Sequence, residues 1–273
     1  MTEPPWVRHA IWWHVYPLGF TGAFPAVDPP APQEHRLRRV TAWLDHVVTL
    51  GTSGIALGPM FASRTHGYDT TDHYRIDPRL GTGDDFDELA EQAHATGVRV
   101  LLDGVFNHVG TEFPHYRRAL DGDAGARRWF RESRDGFATF EGHGELIALN
   151  HDEPEVIDYV VDVMGHWLDR GADGWRLDAA YAVPARFWAQ VLPRVRERHP
   201  DAWFVGEVIH GDYAAVVSES GFDAVTQYEL WKATWSALND GNFHELDHAL
   251  GRHAEFLETF VPQTFVEIGR AHV

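Results

Sequence analysis

The chain has 273 residues, 44% of them hydrophobic and 13% aromatic, enough for one large domain with a sizeable core. Its 41 Asp and Glu outweigh 23 Lys and Arg, for a formal charge of −18, which argues against a nucleic-acid partner and against an anionic membrane surface. With no cysteine, disulfides and thiolate metal sites are excluded, and chemistry falls to carboxylates, histidines or hydroxyls.

MTEPPWVRHAIWWHVYP lacks the basic start and apolar run of a signal peptide, and no apolar stretch reaches the ~18 residues of a membrane span. A cytoplasmic location is therefore expected. IWWHVY (11–16) is the first strand expected. EHRLRRVTAWLDHVVTLG (34–51) spaces Leu37, Val40, Leu44, Val47 and Val48 as a helix that stops at Gly51. GIALG (54–58) is a second strand. DDFDELAEQAHATG (84–97) opens with acids and closes at Gly97, as a helix dipole favours. VRVLLDGVF (98–106) is a third strand. The polar, Gly-rich stretch at about 109–153 is too long for a simple connection and implies an inserted subdomain.

PEVIDYVVDVMGHWLDRG (154–171) predicts a helix with Pro in its first turn. GWRLD (174–178) and AWFVGE (202–207) are the fourth and fifth strands, with a helix at 184–199 between them. FDAVTQY (222–228) is the sixth, a helical pattern runs from about 231 to 260, and TFV (264–266) opens a seventh. Strand and helix in alternation give parallel strands with right-handed crossovers, in an open doubly wound sheet or a closed barrel. The phosphate-binding glycines of the open type are missing: GTGDDF (81–86) lacks the third. The fold class expected is thus α/β, a (β/α)8 TIM barrel. It is incomplete, since eight units need about 300 residues or more. Residues 1–266 would hold strands one to six and the start of the seventh.

Asp103, Asp178 and Glu207 stand at C-terminal strand ends, where barrel active sites form. Arg176 and Asp178, two apart, share a face. One such strand is more simply a buried ion pair; three neighbouring strands that all end in acids point to a site. Adjacent parallel strands lie about 4.8 Å apart, which sets Asp178 and Glu207 near the ~5 Å carboxyl separation of a retaining glycosidase. Arg176 is expected to keep Asp178 ionised as a nucleophile. The facing carboxylate is expected to raise Glu207, as a general acid needs.

DGVFNH (103–108), GWRLDAA (174–180) and GEVIH (206–210) resemble the first three conserved regions of the α-amylase family of glycoside hydrolases. HGYDTTDHYRIDPRLGT (66–82) resembles that family's segment after the second strand, and LIALN (146–150) its motif near the end of the inserted subdomain. The resemblance implies Asp178 as nucleophile, Glu207 as acid and then base, Arg176 orienting Asp178, and Asp103 bracing Arg176. It implies that His108 bonds a hydroxyl of the sugar being cleaved and that Tyr68 stacks on that sugar. It requires no cofactor. Asn107 is a calcium ligand in some members, and a metal-free structural role stands open beside that one.

The implied substrates are starch and maltodextrins, cleaved at α-1,4 or α-1,6 bonds. Members that trim single glucose units often carry Asp three positions before the stacking Tyr; Thr65 there tilts toward α-amylases, neopullulanases and cyclomaltodextrinases. The family also has a third catalytic Asp, after Asn-His beyond the seventh strand. Here TFV is followed by EIGRAHV (267–273), which back-translates to a sequence resembling a library adapter. These seven residues are expected to be a non-native tail. The chain as written is expected to lack the third Asp and to have little or no activity.

Two rival readings come from other features. HELDHALGRH (244–253) contains the H-E-x-x-H of zinc peptidases, with His244 and His248 as ligands and Glu245 as base. Asp247 inside the motif and the spacing of His253 count against it. The 11 Trp residues also fit a barrel that binds glucan without turnover.

Overall fold

A computed structural model describes residues 3–24, 34–134 and 136–266. Along the chain run β1 (Trp12–Val15), α1 (Pro17–Phe20), α2 (Leu37–Thr41), α3 (Leu44–Thr49), β2 (Gly54–Leu57), β3 (Phe61–Ser63), β4 (Thr70–Ile76), α4 (Gly83–Ala95) and β5 (Arg99–Gly104). The insertion follows, with β6 (His108–Gly110), α5 (Pro114–Leu120), α6 (Ala124–Arg127), β7 (Glu132–Ser133), β8 (Gly136–Phe137) and β9 (Leu146–Ala148). Then come α7 (Pro154–Asp169), β10 (Gly174–Leu177), α8 (Ala185–Arg198), β11 (Trp203–Gly206), α9 (Tyr213–Ser220), β12 (Ala224–Val225), α10 (Tyr228–Asp240) and α11 (His244–Phe256). Six strands pair in the order β1-β2-β5-β10-β11-β12, every pair parallel.

Local chemistry explains the outer helices. Thr82 caps α4 in a capping box with Asp85, and Phe86, Leu89, Ala90 and Ala93 bury one helical stripe. α7 starts at Pro154, where a missing N–H costs nothing, and buries Val156, Ile157, Val160, Val163, Met164 and Trp167. Each large apolar side chain so buried stabilises by about 1.5–3 kcal/mol. Trp167 Nε1 also donates to His73 O at 2.7 Å, which ties the β3–β4 hairpin to α7.

The inner face is filled differently at its two ends. At the N-terminal end, Trp12 of β1 stacks on Trp203 of β11, centroids 5.6 Å apart and planes 12° apart, with Trp6 edge-on to Trp12. Ala56, Leu101, Val205 and Ala224 complete this plug. Gly54 makes room for it: a Cβ there would lie 2.4 Å from the Trp12 ring. The opposite end carries the acids.

Several expectations change. The helix over 34–51 breaks into α2 and α3, and Trp43 at the break stacks on Trp13 at 6.0 Å. The pattern over 231–260 breaks at Gly241, whose φ of 65° ends α10. The sixth strand shrinks to two residues. TFV forms no strand; among the described residues, parallel pairing beyond β12 is a single bridge, Thr226 to Gln263. The β3–β4 hairpin and α9 were not expected. EIGRAHV lies outside the described residues.

Candidate active site

Strand register assembles the site. Arg176 pairs with Asp103 across β10 and β5, and Leu177 with Gly206 across β10 and β11. The next residues, Asp178 and Glu207, therefore leave their strands side by side. Arg176 joins all three acids: Nη1 donates to Asp103 Oδ1 at 2.7 Å and to Asp178 Oδ1 at 3.0 Å, and Nη2 lies 2.6 Å from Glu207 Oε1. Glu207 gains two further donors, Ala179 N at 2.9 Å to Oε2 and Tyr228 OH at 2.7 Å to Oε1. Ala179 holds a left-handed backbone, φ 46° and ψ 34°. Such a conformation costs a non-glycine residue about 1–2 kcal/mol, and here it aims the N–H at Glu207.

The protonation expected for the pair is reversed. Burial pushes Asp178 up to about 8; Arg176 draws it down, while Glu207 and Asp103 push it further up. Burial also raises Asp103, to about 6. Burial acts the same way on Glu207, but the Arg176 charge and the donors on its oxygens outweigh it and hold Glu207 below the usual range. The physical reason is a count of donors: one cation faces three acids, and the acid with the most donors keeps its charge. Burial thus raises Asp178 while the donors lower Glu207, the opposite of the directions expected from sequence.

The structure brings the remaining expected residues to the same end. Tyr68, on the β3–β4 hairpin, feels the charges of Asp103, Arg176, Asp178 and Glu207, and burial raises its hydroxyl well above the usual value. The hairpin packs tightly on β6, where a Cβ at Gly110 would sit 2.4 Å from Asp69 O. His108, on β6, is buried, stacks on Phe140 at 4.8 Å, and is lowered to about 4, chiefly by burial. It is therefore neutral at pH 7. Its Nδ1 faces Asn107 Nδ2 at 3.0 Å, and its ring also hydrogen-bonds the Tyr68 backbone.

The Asn107 side-chain amide contacts His108. Among the described residues no group of three or more His, Cys, Asp or Glu is placed to hold a metal ion. The zinc reading gains no support from this finding. His244, Glu245 and His248 lie exposed on α11, no third His, Cys, Asp or Glu completes a ligand group among the described residues, and Glu245 is paired with Lys232.

Sequence reasoning missed Tyr228, which no motif marks. It also missed the insertion's reach over the site: Tyr181 OH donates to Glu141 Oε1 at 2.8 Å. Glu141 has a positive φ of 49°, a left-handed conformation that a side chain seldom adopts.

The family called "Alpha amylase, catalytic domain" matches residues 33–141 and 124–261. The chain belongs to the α-amylase family. The catalytic domain of this family is a (β/α)8 barrel, and the described residues supply six of its parallel strands. This α-amylase family member is 34% identical to a cyclomaltodextrinase of Geobacillus thermopakistaniensis, over 83% of this chain and 43% of that protein. It is 31% identical to Neopullulanase 2 of Thermoactinomyces vulgaris, over 89% of this chain and 46% of that protein. The structure of a cyclic α-maltosyl-(1→6)-maltose hydrolase from Arthrobacter globiformis, in complex with cyclic α-maltosyl-(1→6)-maltose, superposes with a TM-score of 0.86 at 26% identity. That match covers 98% of this chain and 66% of the hydrolase. The chain spans under half the length of these two curated relatives.

Proposed function

We propose that the full-length protein hydrolyses α-glucosidic bonds of maltodextrins with retention of configuration. One observation carries this reading: Asp178 and Glu207 end adjacent parallel strands and share one guanidinium. Strands about 4.8 Å apart favour the short carboxyl separation of the retaining class over the longer inverting one. In the first step Glu207 gives its proton to the glycosidic oxygen while an Asp178 oxygen bonds to the anomeric carbon. The C–O bond breaks, and the leaving sugar keeps the proton. In the second step Glu207 takes a proton from water, the water oxygen bonds to the anomeric carbon, and Asp178 is released. The pair thus works with one proton. Glu207 carries that proton when the first step begins, and Asp178 carries none.

His108, which contacts the Tyr68 segment, suits a sugar hydroxyl, and Tyr68 suits a sugar face. The names of the relatives, cyclomaltodextrinase and maltogenic α-amylase among them, support maltodextrins as substrates. Residues 1–266 are proposed as part of one catalytic domain, with 109–153 as its inserted subdomain. The 273-residue chain by itself is proposed to turn over little, since its described residues present two of the three acids the family resemblance implies. A relative in Bacillus subtilis is named intracellular maltogenic amylase, and no helix among the described residues is long and apolar enough to cross a membrane. A cytoplasmic site of action is proposed on that support.

The test is Asp178→Asn in the full-length protein. Turnover of maltodextrin is expected to vanish while sugar binding, followed by calorimetry, persists. Retained turnover would remove Asp178 as nucleophile.

A further inference from the structure

Three donors converge on Glu207, and the third comes from outside the strands that carry the acids. Tyr228 opens α10, and its hydroxyl donates to Glu207 Oε1 at 2.7 Å. The same oxygen meets Arg176 Nη2, while Oε2 takes the Ala179 N–H. The tyrosine is held in place: Gln227 before it caps α10 by accepting from Leu230 N, and its ring lies edge-on to Phe265 at 5.0 Å. We propose that Tyr228 is a positioning residue for the acid–base carboxylate, whose hydroxyl holds Glu207 Oε1 toward Arg176. This rests on the reading of Glu207 as the acid and base.

The chemistry is directional. A phenol hydroxyl that donates to a carboxylate favours the charged form. Tyr228 therefore opposes protonation of Glu207 in the empty site. After the glycosyl bond forms, the same hydrogen bond supports Glu207 as the base that accepts a proton from water. Among the described residues, the groups that face Glu207 from neighbouring elements are Arg176, Asp178 and Tyr181 from β10 and the turn after it, Asp103 from β5, Tyr68 from the β3–β4 hairpin, and His14 from β1. Of these, only Arg176 shares Oε1 with Tyr228.

The test is the pH profile of kcat/KM for the full-length protein, its Tyr228→Phe variant and its Glu207→Gln variant, on one maltooligosaccharide. Phenylalanine keeps the ring against Phe265 and removes one donor. The acid limb, where Glu207 gains a second proton for the pair, is expected to move up by roughly one pH unit, the scale of one hydrogen bond to a charged group. The basic limb stays or rises. A loss of fold would instead lower the whole profile without moving its limbs. Fluorotyrosine at position 228, a stronger donor of similar size, is expected to move the acid limb down, and it keeps the question open to test if Phe fails to fold. An acid limb unmoved by either change, with Glu207→Gln inactive, would overturn the role of Tyr228. Turnover retained by Glu207→Gln would instead overturn the reading of Glu207 itself.

Discussion

Arg176 holds Glu207 more closely than it holds Asp178, at 2.6 Å against 3.0 Å. The fork geometry of the guanidinium makes this possible, because its two terminal nitrogens reach different acids at once. Lysine offers a point charge on a flexible stem and cannot span Asp103, Asp178 and Glu207 together. Arg176→Lys is therefore expected to lower kcat/KM of the full-length protein by about 100-fold, the scale of an ångström of misplacement. Circular dichroism should show the fold retained. Activity within a few-fold of the parent would show that the fork does not set the pair's geometry.

The raised Asp178 makes stability depend on pH. Its folded value of about 8 exceeds its ordinary 3.8, so the folded state binds more protons between these values. The resulting stability is fully present below about 3.8 and is lost as pH rises through about 8. His73, His108 and His151, each lowered to about 4 with burial the largest cause, act in the opposite sense as pH falls below 6.5. A comparison isolates the aspartate: the Tm of Asp178→Asn minus that of the parent should grow as pH rises from 5 to 8. A difference that is flat across that range would contradict the raised value.

Gly110 lets the Tyr68 hairpin lie against β6. An alanine Cβ would stand 2.4 Å from the Asp69 carbonyl oxygen, which is backbone and must shift. Gly110→Ala is expected to displace Tyr68 and raise KM by about tenfold, one factor of ten for ~1.4 kcal/mol of lost sugar contact. Steady-state kinetics on maltooligosaccharides would check it, and an unchanged KM would show that Tyr68 does not depend on this contact.

Trp203 closes the bottom of the barrel against Trp12, far along β11 from the acids. Trp203→Ala removes a nearly fully buried ring and should cost about 3–5 kcal/mol of stability, seen as a lower urea midpoint. Its effect on the pH profile of activity should be small, since no group of the plug bonds Arg176, Asp178 or Glu207 in this structure.

The strands that carry chemistry were legible because short apolar runs end abruptly in Asp103, Asp178 and Glu207. Parallel register then left little freedom in how those residues meet. The hairpin of β3 and β4 was hidden by HGYDTTDHYRID, whose polar residues look like loop until Trp167 and His73 join it to α7. The break at Trp43 was hidden because helical spacing continues through it, while an aromatic partner on β1 draws the ring aside. The lowered Glu207 was not legible at all, because besides Arg176 it draws on Tyr228 and the Ala179 N–H, two donors that sequence proximity to the acids does not reveal.

The central claim is that Asp178 forms a covalent bond to sugar. It is tested most directly by incubating the full-length protein with a fluorinated maltosyl fluoride, whose second step is slow, and mapping the adduct by peptide mass spectrometry. The account predicts a glycosyl adduct on the peptide containing Asp178, absent in Asp178→Asn. Turnover of maltodextrin with no adduct, or an adduct on another carboxylate, would contradict it.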